Sequence, residues 1–234
     1  MINYIDHIYV LHVKEGYENR EKSIKEQLEN LNLEFEFILE HDISDLKEEE
    51  LSQYFSKEHT LKPSELSCSM KHIEALKKIE KQEGEVFLIL EDDVLFSKNA
   101  HEVLQNLKKE LNSIENNFVI SLGNAANMYT PKKELKENVL LYQNIENRAA
   151  DSMLISKKAV RKRLQWLKEN HTTLPADHMY NLIDNEVGNH IYWLEPTIVT
   201  QGSQAGLFIS SIQKKKPFHR FRWLWRDFRK KLKR

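Results

Sequence analysis

The chain is predicted to fold as an α/β domain, a sheet with parallel strands flanked by helices. Two observations carry this. Short apolar runs alternate with segments of helical periodicity through the first half, the order expected of βαβ units. Two of these runs, Ile5–Val13 and Val86–Leu90, are near-continuously apolar, as strands covered on both faces are. The chain has 234 residues, 40% of them hydrophobic, with six glycines, five prolines, no repeat and no long linker. That is enough for one core without disulfide staples.

The elements follow in order. Ile5–Val13 opens as a strand, and Tyr17–Leu31 follows as a charged helix with Ile24, Leu28 and Leu31 at i, i+4 and i+7. Phe35–Leu39 reads as a short strand and Lys47–Phe55 as a helix on an acidic surface. Pro63 introduces a helix over Ser64–Lys81, with Leu66, Met70, Ile73 and Leu76 on one side and Gly84 beyond its end. Val86–Leu90 is the clearest buried strand. A helix over Asn99–Leu111 is followed by strands Phe118–Leu122, Val139–Tyr142 and Met153–Ile155. Ser156 is the N-cap expected for a helix Lys157–Glu169. Ile191–Leu194 and Ile198–Val199 are short extended pieces.

The formal charge of −1 hides a division, because residues 214–234 carry eleven basic residues and one acid, a balance of +10, against −11 on residues 1–213. An acidic body with a basic tail excludes a uniformly basic nucleic-acid binder, and the hydrophobic content excludes a disordered chain. Cys68 is the sole cysteine, which excludes an internal disulfide and a cysteine-rich metal site. No signal peptide is read in residues 1–7, and the apolar run Val86–Leu90 is far shorter than the roughly 20 residues of a membrane span. A cytoplasmic body is expected.

The strongest chemical signal is Glu91-Asp92-Asp93, three acids at the end of a buried strand. Such a group is costly unless a cation meets it, and open α/β sheets bind ligands at the carboxyl ends of their strands. In extended backbone Glu91 and Asp93 point to one side and Asp92 to the other. Two carboxylates so placed suit a hard divalent ion, Mn²⁺ or Mg²⁺; a solvated acidic turn is the plainer alternative. Cys68 and His72 share a helical face at i, i+4. A small buried thiol beside a histidine fits that pair better than a nucleophile. For Asp177-His178, local pattern favours Asp177 as the N-cap of a helix His178–Ile183. Thr200-Gln-Gly-Ser203 is a small polar loop.

Together these segments resemble glycosyltransferase family 25, the bacterial lipopolysaccharide and lipooligosaccharide sugar transferases. Ile8–His12 through Arg20 is similar to the family's N-terminal nucleotide-sugar strand, Glu65–His72 to its Glu-x-Gly-Cys-x-x-Ser-His helix, and Val86–Val94 to its strand ending Leu-Glu-Asp-Asp-Val. Ala149–Ala159, Pro175–His178 and Val199–Gln201 resemble later segments, so that the likeness spans residues 5–204. Ser67 and Lys71 depart from the family's usual Gly and Ser, Arg20 stands alone where members carry several arginines, and Arg148-Ala149-Ala150 replaces a Thr-Gly-Ala-like sequence.

The resemblance implies a GT-A type nucleotide-sugar transferase fold, with a mixed, mostly parallel sheet flanked by helices. It implies a UDP-sugar donor, a divalent metal (Mn²⁺ or Mg²⁺), and inverting transfer of galactose to a lipid-linked core oligosaccharide. Under it, Glu91 and Asp93 hold the metal and Asp177 is the catalytic base. His12, Glu65, His72, Asp92 and Gln201 belong to the donor site. Two other readings stand beside it. A phosphate-transfer enzyme would want a nucleophilic Asp-x-Asp or a Gly-rich loop, and neither is present. A membrane-attached interaction module predicts no nucleotide-sugar binding.

In the tail, Phe218, Phe221, Trp225 and Phe228 fall at spacings of three, four and three among lysines and arginines. That pattern suits a helix lying on an anionic leaflet, aromatics down; aromatics that cap the body's core and nucleic-acid binding by the tail are the alternatives. With the lipid-linked acceptor that the resemblance implies, the expected location is peripheral, on the inner face of the bacterial inner membrane. The expected domains are thus a catalytic body, 1–213, and a membrane-surface tail, 214–234, with no nucleic-acid partner. The full chain is expected to sediment with anionic liposomes and a chain truncated after residue 213 to stay in the supernatant; equal partitioning of the two contradicts the anchor.

Overall fold

A computed structural model describes residues 2–124, 128–208 and 225. Apart from Trp225, the tail expected at 214–234 lies outside the described residues, as does the end of the expected body.

The strands are β1 (His7–Leu11), β2 (Glu36–Ile38), β3 (Val86–Glu91), β4 (Val94–Phe96), β5 (Phe118–Ser121), β6 (Leu141–Asn144), β7 (Ser152–Ser156), β8 (His190–Leu194) and β9 (Val199–Gln201). The α-helices are α1 (Glu18–Asn30), α2 (Glu48–Leu51), α3 (Pro63–Lys81), α4 (Ala100–Leu111), α5 (Lys157–Glu169), α6 (Ala176–Glu186) and α7 (Gly202–Ala205). The described strands form a seven-stranded sheet in the order β2-β1-β3-β7-β5-β8-β6 and a two-stranded sheet of β4 and β9. In the large sheet β7 runs against β3 and β5, and β6 against β8, while the other pairs are parallel. The result is the mixed, mostly parallel sheet of a GT-A-like α/β fold.

The apolar runs are explained by the two layers that cover the sheet. Ile8 and Val10 of β1, Leu88 and Leu90 of β3, and Leu154 of β7 pack with Ile24 and Leu28 of α1 and Leu104 and Leu107 of α4. The alternate residues Tyr9, Leu11, Phe87, Ile89, Met153 and Ile155 pack with Ile73 and Leu76 of α3, Leu164 of α5 and Ile183 of α6. Both faces of each strand are therefore buried, and a one-residue slip would exchange the two sets.

Three expectations are corrected. The helix expected over Lys47–Phe55 ends at Leu51, because Phe55 leaves it to bridge Thr172, and Thr172 N donates to Tyr54 O at 2.8 Å. Val94–Phe96, unassigned from sequence, is a strand made by pairing with β9. Helix α6 starts at Ala176 behind Pro175 rather than after Asp177, so Asp177 is not its cap. The helix Lys157–Glu169 has its expected bounds, and the Ser156 side chain accepts from Ala159 N at 3.2 Å.

One buried ion pair locks α5 to α6. Arg163 donates to Asp184 from Nε at 2.8 Å and from Nη2 at 2.6 Å, and both side chains are fully buried. Asn147 and Asn189 complete the carboxylate at 2.8 and 2.9 Å. Removing one partner strands the other charge in the core. Asp184→Ala is expected to lower the unfolding free energy by about 3–5 kcal/mol in urea titration; a loss below about 1 kcal/mol would show that the pair is not holding the helices.

Candidate active site

The parallel pairing of β1 with β3 sets Leu11 opposite Glu91, so the acidic turn leaves the carboxyl edge of the sheet beside the end of β1. Backbone bonds stitch it on both sides: Glu91 N donates to Asp151 O at 2.8 Å and Asp92 N to Leu11 O at 3.1 Å. On the far side Gly202 N donates to Asp93 O at 2.7 Å. A Cβ on Gly202 would lie 2.7 Å from that oxygen, so the close approach requires glycine. The stretch Thr200–Ser203, read from sequence as a polar loop, is the end of β9 and the start of α7, and it braces the turn.

The three acids then part company. Asp92 is buried and clamped: Arg20 Nη1 donates to its Oδ1 at 2.8 Å, and His12 Nδ1 lies 2.7 Å from its Oδ2. Glu91 keeps 24% of its side chain open. Its Oε1 accepts from Cys68 Sγ at 3.6 Å and lies 3.5 Å from His72 Nε2, and its Oε2 accepts from Gln201 Nε2 at 3.4 Å. Asp93 accepts from Ser203 N through Oδ2 at 3.2 Å, while its buried Oδ1 has no hydrogen-bond partner among the described residues.

A fourth acid joins them. Asp151, just ahead of β7, is buried, accepts from Ser152 Oγ at 2.9 Å through Oδ1, and has no hydrogen-bond partner for Oδ2 among the described residues. The electrostatic outcome is a site short of positive charge. Burial, then Asp93, Asp177 and Asp92, pushes the Glu91 carboxyl up to about 8. Burial, then Glu91, pushes Asp151 up to about 8, and burial raises Asp93 also. Burial pushes the Cys68 thiol well above its ordinary range and the His72 imidazole down to about 4, so both are neutral.

A cavity of about 790 Å³ opens over the turn. Its wall includes Tyr17, Arg20, Cys68 and Ser203, both residues expected to hold the metal, Glu91 and Asp93, and two of those expected at the donor site, Asp92 and Gln201. Arg20 stacks over the Tyr17 ring at 4.7 Å. The wall also includes Asp42 and the 3-10 turn Ile43–Asp45, tied down by Lys71 Nζ, 2.7 Å from Asp42 Oδ1, and by Lys14 on Asp45 at 2.5 Å. His12 and His72 sit behind the wall, each against an acid that lines it. Glu65 is not in the wall; its Oε2 accepts from Lys62 N at 2.8 Å and caps α3. Asp177 is solvent-exposed on the first turn of α6, with Oδ1 accepting from Ala150 N at 2.7 Å. It is outside the cavity wall, yet close enough that its charge raises Glu91 and Asp151.

Sequence reasoning missed Asp151 and the Lys71–Asp42 tie. The signal for Asp151 was of the same kind as for Glu91, an acid abutting an apolar strand. Lys71 was visible only as a departure from a family pattern.

A sequence profile described as Glycosyltransferase family 25 (LPS biosynthesis protein) matches residues 5–180. The chain belongs to glycosyltransferase family 25. Comparison with curated proteins gives no match. The matched stretch runs from β1 into α6 and so contains the acidic turn, Arg20, Cys68, His72, Asp151 and Asp177; Gln201 lies beyond it. As a family 25 member the protein is a glycosyltransferase of lipopolysaccharide biosynthesis, an enzyme that takes a nucleotide-sugar donor and an oligosaccharide acceptor. The donor set fits a divalent cation: Glu91 and Asp93 are carboxylates two residues apart, Asp93 raises Glu91, and Asp93 Oδ1 has no hydrogen-bond partner among the described residues.

The raised carboxyls make stability depend on pH. Their folded values lie above their unfolded ones, so the metal-free protein binds more protons folded than unfolded and loses stability as pH rises toward about 8. The depressed His72 acts oppositely, but only below its ordinary value of 6.5. Between pH 6.5 and 8, in chelator, urea stability is expected to fall for the wild type and to fall less for Glu91→Gln; parallel slopes would contradict the burial of charge at Glu91.

Proposed function

We propose that the protein is a metal-dependent, inverting galactosyltransferase that moves galactose from UDP-galactose to a lipid-linked lipopolysaccharide or lipooligosaccharide core acceptor. The observation that carries this is the under-neutralised pair of half-buried Glu91 and buried Asp93, which line a cavity of about 790 Å³ at the carboxyl edge of the sheet. Glu91 and Asp93 would hold the divalent ion, and the ion when bound would neutralise charge developing on the diphosphate. Tyr17 and Arg20 offer the nucleotide a flat, cationic wall. Asp92, clamped by His12 and Arg20, fixes the turn rather than the ion. Gln201 orients Glu91.

Asp177 is the base in this reading. Its carboxylate is held at one oxygen by Ala150 N and is open to solvent, the exposure an acceptor hydroxyl requires. The acceptor oxygen forms the new bond to the anomeric carbon as the bond to the diphosphate breaks. UDP leaves and the hydroxyl proton passes to Asp177. The basic aromatic tail would keep the body at the leaflet where a lipid-linked acceptor is presented.

The test is a screen of UDP-sugars with a core oligosaccharide acceptor. UDP-galactose is expected to give a β-linked product, and Asp177→Asn to bind UDP normally while losing at least about 10²-fold in turnover. A different preferred donor removes the galactosyl assignment, and full turnover in Asp177→Asn removes the base.

A further inference from the structure

The Glu91 carboxylate of the proposed hard-ion site also contacts Cys68 and His72 through Oε1, and those two residues have no part in the transfer reaction described above. One turn apart on α3, they project from a single helical face, and the parallel β1–β3 edge brings the end of β3 against it. The donor atoms of Cys68, His72 and Glu91 all lie within 4.8 Å of one another.

We propose that Cys68, His72 and Glu91 form a second cation site, selective for thiophilic divalent ions such as Zn²⁺ or Co²⁺, with the fourth coordination position turned to the cavity. Metal–nitrogen and metal–oxygen bonds of about 2.0–2.1 Å and a metal–sulfur bond of about 2.3 Å place tetrahedral donors roughly 3.3–3.6 Å apart. The two contacts of Glu91 Oε1 match that spacing, at 3.5 Å to His72 Nε2 and 3.6 Å to Cys68 Sγ. Independently, His72 is fully buried and neither ring nitrogen has a hydrogen-bond partner among the described residues. A buried imidazole with two unsatisfied nitrogens is costly, and a cation between His72 and Glu91 satisfies one of them.

Charge and ligand softness agree. On binding, the Cys68 thiol proton and any proton held on the Glu91 carboxyl leave to solvent, and a thiolate with one carboxylate neutralises a divalent ion. Thiolate and imidazole favour Zn²⁺ and Co²⁺, whereas an all-oxygen pair such as Glu91 with Asp93 favours Mn²⁺ or Mg²⁺. Cys68 and Glu91 both line the cavity, so the fourth position faces whatever the cavity holds. Both sites use Glu91, and an ion in one draws that ligand from the other.

The test uses the full chain, stripped of metal and without donor or acceptor, so it is separate from the success or failure of the transferase reading. Co²⁺ is added and the thiolate-to-cobalt charge-transfer band is recorded; Cys68 is the sole thiol that can produce it. The wild type is expected to show the band, saturating at one Co²⁺ per chain. His72→Gln and Glu91→Gln are expected to weaken Co²⁺ binding at least about tenfold, while Asp93→Asn retains the band. As a second readout that needs no variant, Zn²⁺ is expected to slow labelling of Cys68 by a thiol reagent and Mg²⁺ is not. Absence of the band in the wild type, an unweakened band in His72→Gln, or equal labelling with Zn²⁺ and Mg²⁺ overturns the site.

Discussion

The architecture of this protein turns on one electrostatic constraint, buried negative charge at the end of an apolar strand. β3 carries Leu88, Ile89 and Leu90 through the middle of the sheet, fully enclosed, and ends directly in three acids. Water reaches only part of Glu91, and almost none of Asp92 and Asp93. Charge so placed must be matched, protonated or coordinated, and the surrounding elements divide along those lines. Arg20 and His12 match Asp92. Among the described residues, Glu91, Asp93 and Asp151 form no ion pair with a lysine or arginine, and Arg20 only partly offsets Asp93.

That imbalance is what makes the site chemical rather than structural. A fully paired cluster, such as Arg163 with Asp184, stitches helices together and leaves nothing to bind. The acidic turn sits instead at a cavity mouth, with an orphaned carboxylate oxygen on Asp93 and a carboxylate on Glu91 held near its protonated form. Membership of family 25 makes the chain a glycosyltransferase of lipopolysaccharide biosynthesis, and the proposed function puts this arrangement at its centre. The same imbalance explains the packing around it. Gly202 lets β9 and α7 close on Asp93, and the neutral Cys68 and His72 crowd Glu91 without compensating its charge.

The sheet was legible in the sequence because its strands are covered on both faces, which leaves near-continuous apolar runs at β1 and β3. α5 was legible to the residue because Ser156 caps it locally. β4 was not, since three residues form a strand there only by meeting β9, about a hundred positions later in the chain. The acidic turn was legible as an anomaly, three charges where a buried strand ends, but the division of labour within it was not. That Asp92 is clamped while Asp93 is left open depends on Arg20 and Ser203, which no local pattern ties to it. Asp177 looked like a helix cap; its carboxylate in fact reaches Ala150 N, a contact across 27 positions. Asp151 was passed over because a single acid becomes notable only once β7 is known to lie beside β3.

The central claim is that the acidic turn seats a divalent ion that supports nucleotide binding. It is tested most directly by calorimetric titration of UDP into the metal-free protein, with and without Mn²⁺, for the wild type and Asp93→Asn. The account predicts that Mn²⁺ tightens UDP binding to the wild type and has little effect in Asp93→Asn. UDP affinity that is the same in chelator as in Mn²⁺, or a Mn²⁺ effect that survives Asp93→Asn undiminished, would contradict it.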